Sequence, residues 1–214
     1  MIIPKLHYTP QGNSPKEVLG NIQKACTSGI ELVQLGLNNV SEKKFLKIAE
    51  EAREITSHFQ TRLIIDHQYK IAKAVKADGV VLDKTAICPT KARKFLYSWQ
   101  IIGGTANTLQ EAETLVTKEV DYIMLGPFRT TTNNDNSNTA LGLNGYKLLV
   151  EALKTQMPII AFGGITTADV TALLEMGVSG IAVSEEINRD FENIKVFNQL
   201  LNASSTQEQR HTFE

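Results

Sequence analysis

Long apolar runs are missing from this chain. No stretch approaches the roughly 20 consecutive apolar residues that span a bilayer. The opening "MIIPKLHYTPQ" is too short in apolar residues for a secretory leader, so a cytoplasmic protein with no membrane partner is expected. An excess of charge is missing too: 22 Lys and Arg stand against 23 Asp and Glu, and the basic residues are scattered. That balance argues against a surface built to track nucleic acid. Cysteine is scarce, and Cys26 and Cys88 have neither CxxC spacing nor a nearby His/Cys cluster. They read as reduced thiols rather than as a disulfide or a zinc site. No Pro/Gly/Ser-rich linker occurs before residue 202, and the 214-residue chain is long enough to bury a sizeable core.

What is present is a repeated rhythm. An apolar strand around "KLHYT" leads to a Pro15-led helix ending near Ser28, and "ELVQLGL" follows as a second strand. Ser41 opens a long amphipathic helix to about His58, with Phe45, Ile48, Ala49, Ala52 and Ile55 at helical spacing, before the strand "RLIID". Five further apolar runs continue the alternation: "GVVLD", "QIIGGTA", "YIMLGP", "PIIAFGG" and "GIAVSEE". Eight strands alternating with helices in about 200 residues predict a parallel, closed (β/α)8 TIM barrel. The expected domain is residues 1–201, and the polar segment 202–214 reads as a disordered tail.

In such a barrel the chemistry lies where strands end. The residues at those ends are Thr9, Gln34, Asn38, Asp66, His67, Asp83, Lys84, Thr105, Asn107, Arg129, Thr130 to Thr132, Gly163, Gly164 and Ser184. So many polar groups around one rim point to a site. Gly163 and Gly164 end the seventh run and Ser184 the eighth, the general barrel position for a phosphate held by backbone N–H groups. The competing reading is a tight strand-to-helix turn. Asp66, His67 and Asp83 end adjacent strands and form a candidate acid/base pair, Asp66 and His67, and a candidate Mg2+ pair, Asp66 and Asp83. The structural alternative has Asp66 capping the next helix. Arg129 is the one cation of its loop, and the polar stretch Thr130 to Gly142 reads as a lid or as a loop without function.

The segments "ELVQLGLNN", "LIIDHQYKIA", "ADGVVLDKT", "IIGGTANTLQEA", "DYIMLGPFRTTT", "PIIAFGGIT" and "GVSGIAVSEEI", in this order, resemble the landmarks of the thiamine phosphate synthase and thiazole tautomerase superfamily over residues 4–200. The resemblance implies an enzyme of thiamine biosynthesis. Such a synthase couples hydroxymethylpyrimidine diphosphate to a thiazole phosphate and releases pyrophosphate, aided by Mg2+. Its implied partners are phosphorylated small molecules, and a homodimer through the outer helices is open to it. Gln34 matches the residue that meets the pyrimidine, and Gly163, Gly164 and Ser184 match the cradle of the thiazole phosphate. Thr105 matches a Ser near the pyrophosphate, and Thr131 matches the Thr of the loop after "GP". Asn38, Asn107 and Arg129 complete the expected substrate-binding set.

The chain also departs from the family pattern. Gln-x-Arg-x-Lys reads Gln34-Leu35-Gly36-Leu37-Asn38, without either cation, and the Lys after Thr-x-Thr is replaced by Asn133 or Asn134. Asn-Asp after the third strand reads Asp66-His67, and the second metal Asp falls on Ala86. A diphosphate leaving group needs cations or a metal to neutralise it, so the alternative expectation is a catalytically silent barrel that binds a phosphorylated thiazole or thiamine phosphate. A tautomerase-like barrel is the other alternative, although Gly126-Pro127 stands where those enzymes resemble Gly-His.

Overall fold

A computed structural model describes residues 2–130 and 139–211, with side chains to residue 203. The strands are β1 (Leu6–Tyr8), β2 (Leu32–Leu35), β3 (Arg62–Asp66), β4 (Gly79–Leu82), β5 (Ile101–Ala106), β6 (Tyr122–Leu125), β7 (Ile159–Phe162) and β8 (Gly180–Val183). Each pairs in parallel with the next, and β8 closes on β1, which makes the (β/α)8 barrel that the alternation implied. The helices are α1 (Pro15–Thr27), α2 (Glu42–His58), α3 (Tyr69–Ala74), α4 (Pro89–Phe95), α5 (Leu109–Thr117), α6 (Gly142–Leu153), α7 (Val170–Glu175), α8 (Glu185–Arg189) and α9 (Asn193–His211), with a 3-10 turn at Thr167–Asp169.

Local chemistry starts these helices, the first two where Pro15 and Ser41 suggested. Ser14 Oγ accepts the Glu17 N–H ahead of Pro15, Ser41 Oγ accepts that of Lys44, and Thr108 Oγ1 accepts that of Glu111. Each satisfies a donor that the first helical turn leaves without a partner. Phe45, Ile48, Ala49 and Ala52 of α2 are buried against the sheet, while Ile55 is half-buried. The helix α9 continues past residue 202, where a tail was expected. Ile194, Phe197 and Leu201 on it are buried. Among the described residues no helix is long and apolar enough to cross a membrane.

Two apolar layers sandwich the sheet. The outer one lies between strands and helices; the inner one fills the lumen with Leu32, Ile64, Val81, Ile101, Tyr122, Met124, Ile160 and Ala182. Each fully buried Leu or Ile contributes roughly 1.5–3 kcal/mol relative to exposure. At the strand starts one device occurs twice. Asp78 Oδ2 accepts the Leu63 N–H and the guanidinium of Arg53 at 2.6 Å. Asp121 Oδ2 accepts the Ile102 N–H and the guanidinium of Arg93 at 2.5 Å. Both carboxylates tie a strand to its neighbour and to a helix at the end of the barrel opposite the rim, a structural task for the Asp of "ADGV" and of "DYIMLGP".

Candidate functional site

The strands converge on a cavity of about 700 Å3 at their C-terminal ends. Gln34, Asp66, His67, Asp83, Thr105, Asn107, Arg129, Gly163, Gly164 and Ser184 all line it. Asn38 does not: it is exposed in the turn after β2. Thr131, both loop asparagines and most of the expected lid lie outside the described residues.

On the β2–β3 side, alternation along β2 turns Gln34 inward, and its Nε2 donates to Asp66 Oδ1 at 2.6 Å. Gln34 is only 6% exposed, and its Oε1 is buried without a partner. The other Asp66 oxygen packs on Gly36, where a Cβ would lie 2.4 Å from it. Burial pushes the Asp66 carboxyl above the usual carboxylate range, against the opposing pull of His67 and of the Gln34 hydrogen bond. The carboxylate faces the cavity and does not cap α3, whose N-terminus has no side-chain cap.

His67 holds a left-handed backbone, φ 57°, with its N–H on the Val81 carbonyl. Outside glycine that conformation is uncommon and is held by surrounding contacts. Its Nδ1 lies 3.8 Å from Asp83 Oδ1. That same oxygen accepts three hydrogen bonds, from Thr85 N, Thr85 Oγ1 and Ala86 N. Burial alone would raise the Asp83 carboxyl, but the Thr85 hydrogen bonds and His67 hold it below the usual range. Asp83 therefore closes its own turn.

These positions decide the fit of a divalent ion. One Asp66 oxygen is held by an amide N–H and the other rests on Gly36, while Asp83 keeps a single oxygen outside its turn. Among the described residues no group of three or more His, Cys, Asp or Glu side chains could hold a metal ion. Mg2+ is commonly held by one or two carboxylates together with substrate phosphates and water, and Asp66 with Asp83 could supply no more than those two side chains.

On the opposite side, Gly163 (φ 97°) and Gly164 (φ 65°) carry β7 into the 3-10 turn. A Cβ on Gly163 would sit 2.5 Å from Pro127 Cβ, so close packing as well as backbone conformation requires that glycine. The Arg129 N–H bonds the Gly163 carbonyl, and its guanidinium donates to the Gly164 carbonyl at 2.8 Å. The same guanidinium grips Asp169 at both oxygens, 2.6 and 2.5 Å, and lies over the Phe128 ring. Arg129 holds the Asp169 carboxyl down to about 2. Its charge is thus matched within the protein by Asp169. Sequence reasoning missed Asp169, although Thr166-x-x-Asp169 carries the spacing of the capping box that forms there.

Two other expected ligand contacts are engaged within the protein. Ser184 Oγ donates to the Thr9 carbonyl at 2.6 Å, and Asn107 Nδ2 donates to the Gly126 carbonyl. Glu185 and Glu186, which line the cavity beside Ser184, were also missed. Deeper in the lumen His7 and Tyr122 meet edge to face at 5.4 Å. His7 Nδ1 and the Tyr122 hydroxyl are buried without partners, and burial lowers the His7 pKa to about 4.

Relatives place this geometry. The chain is 36% identical to the thiamine-phosphate synthase of Flavobacterium johnsoniae over 201 residues, 92% of this chain and 94% of that protein. It is 34% identical to that of Bacteroides thetaiotaomicron over 77% of this chain and 80% of that one. The thiamine phosphate pyrophosphorylase of Pyrococcus furiosus superposes with a TM-score of 0.80 at 25% identity, covering 92% of this chain and 96% of that one. With the thiamine monophosphate synthase family model matching residues 8–187, nearly the whole barrel and both sides of its mouth, the chain belongs to that family.

Proposed function

We propose that this chain joins a hydroxymethylpyrimidine diphosphate to a thiazole phosphate and releases pyrophosphate, slowly for its family. The observation that carries the reading is one continuous cavity with Gln34 on one side and Gly163–Gly164 on the other. That arrangement suits a pyrimidine and a phosphorylated thiazole held side by side. The thiazole phosphate lies against the backbone of the glycine pair and of Ser184, and the pyrimidine lies toward Gln34. In the reaction the thiazole nitrogen bonds to the pyrimidine methylene carbon. The carbon–oxygen bond to the diphosphate breaks, and its electron pair leaves with pyrophosphate. Holding two reactants in one orientation accounts for much of such a rate.

The leaving group is poorly served. Gly36 and Asn38 carry no charge, and Arg129 is paired with Asp169. Losing one stabiliser of developing charge commonly costs about 3 kcal/mol of barrier, so turnover at least about a hundredfold below an ordinary synthase is expected. His67, strained and half-exposed beside Asp66, is the side chain best placed to exchange a proton with the diphosphate.

The position of Asp66 on Gly36 favours a second reading, a barrel that binds thiazole phosphate or thiamine phosphate without turnover. The test incubates the protein with both substrates, follows thiamine phosphate, and measures its binding by calorimetry. Slow product formation supports synthesis, and binding without product supports the second reading. Neither binding nor product overturns both.

A further inference from the structure

Two lysine or arginine side chains face the cavity among the described residues, Arg129 and Lys84. They are held in opposite ways. Arg129 donates to both Asp169 oxygens at 2.6 and 2.5 Å and to the Gly164 carbonyl, so its charge stays with the β7 turn. Lys84, in the turn after β4, has Glu111 as its ion-pair partner, with Nζ 3.6 Å from Oε1, longer than a hydrogen bond. Its side chain is 60% exposed, and an exposed pair of that kind contributes little. Glu111 is fixed through its other oxygen, which accepts the Asn107 N–H at 2.8 Å at the start of α5. The carboxylate therefore stays with its helix, and the ammonium is the partner free to move.

Its surroundings give that movement a direction. Strand β4 lies between β3 and β5, so Lys84 stands between His67, after β3, and Thr105 on β5, and all three line the cavity. The adjacent Asp83 is an anion, but one of its oxygens accepts three hydrogen bonds within its own turn and lies 3.8 Å from His67 Nδ1. We propose that Lys84 is the cation that meets the leaving diphosphate. Its ammonium exchanges Glu111 for diphosphate oxygens and holds the negative charge that gathers on them as the carbon–oxygen bond breaks. Such a bond is charge-assisted and roughly twice as strong as one between neutral groups, whereas leaving Glu111 gives up no hydrogen bond. Lysine suits the exchange because its charge rides on a flexible four-carbon stem. It stands alone in this role, which keeps the reaction slow for its family.

The inference rests on the proposed reaction for the identity of the leaving group, but its test reads binding. Inorganic pyrophosphate is titrated by calorimetry into the wild-type chain, Lys84→Gln, Lys84→Arg and Glu111→Gln, with and without Mg2+, and melting temperature controls for folding. In the condition where wild type binds more tightly, Lys84→Gln should weaken binding at least fivefold at low salt, about 1 kcal/mol. That gap should narrow as salt screens the charge. Lys84→Arg should stay within about threefold of wild type.

Glu111→Gln separates this role from a structural one and remains informative if Lys84→Gln folds poorly. Its amide oxygen can still accept the Asn107 N–H, but the charge that holds Lys84 back is gone, so pyrophosphate should bind more tightly, by at least about twofold. A pair that only braces the start of α5 would lose affinity in both variants or in neither, and either result overturns the proposal, as does a wild-type chain that binds no pyrophosphate in either condition. Lys84-dependent pyrophosphate binding without any thiamine phosphate formed would sink the proposed reaction and leave this assignment standing. Thiamine phosphate formed equally fast by wild type and Lys84→Gln, with pyrophosphate affinity unchanged, would do the reverse.

Discussion

The two sides of the mouth are built from different materials. At the β7 side the backbone makes the surface: Gly163 and Gly164 sit at φ 97° and 65°, and Arg129, matched by Asp169, braces their carbonyls. At the β2–β3 side the surface is made by Gln34 and Asp66 over a bare Gly36. A surface made of backbone is fixed by conformation and changes only with the turn itself. One made of side chains can reverse its charge while the strands beneath stay in place. In this chain the expected family pattern survives on the backbone side and departs on the side-chain side.

The largest expected effect breaks the backbone side. Gly164→Val places a branched side chain at a left-handed position, at a cost of roughly 1–2 kcal/mol before any ligand is considered. Thiazole phosphate affinity, read by calorimetry, should drop at least about tenfold, while binding of unphosphorylated hydroxymethylpyrimidine is kept. Loss of both would mean that the two sides do not act separately. Gly163→Ala tests the turn instead: its Cβ would meet Pro127 at 2.5 Å. A stability loss of about 1–3 kcal/mol is expected in urea unfolding.

The brace comes next in size. In the fold the Asp169 carboxyl stays ionised down to about 2 instead of its ordinary 3.8. A carboxyl depressed in this way stabilises the fold above its unfolded value and loses that contribution as pH falls from 3.8 toward 2. Arg129→Gln should therefore lower the melting temperature by a constant amount from pH 7 to about 5. The difference from wild type should shrink only below about pH 4. A difference that disappears near pH 6 would mean that another group carries the brace.

The barrel was legible in the sequence because burial on both faces writes strands as apolar runs, and Pro15 and Ser41 mark where the first two helices begin. The rim was legible for the same reason: polar residues directly after apolar runs stand out, and thirteen of those named from the sequence line one cavity. What each residue does there was not legible. Arg129 looks free until Asp169, forty positions away, is seen to grip it. Asp83 looks like a free carboxylate until Thr85 and Ala86 are seen on one of its oxygens. Gly36 reads as a lost cation, and only the distance to Asp66 shows that the space is filled. Pairings between separate loops depend on three-dimensional approach, which no local spacing encodes.

The smallest expected effect sharpens the comparison at Ser184. A hydroxyl has one proton, and Ser184 donates it to the Thr9 carbonyl at 2.6 Å, joining the end of β8 to that of β1. What remains toward the cavity is an oxygen lone pair, which a phosphate oxygen avoids. If the phosphate side is made of backbone, only the Ser184 N–H serves the ligand, and Ser184→Ala retains that group. Affinity for thiazole phosphate should then change by less than about threefold, under 0.7 kcal/mol. The cost should fall on stability, about 1 kcal/mol for the Thr9 carbonyl left without its partner. A tenfold loss of affinity with unchanged stability would mean that the hydroxyl turns from Thr9 to the phosphate, and that this side of the mouth also recognises its ligand through a side chain.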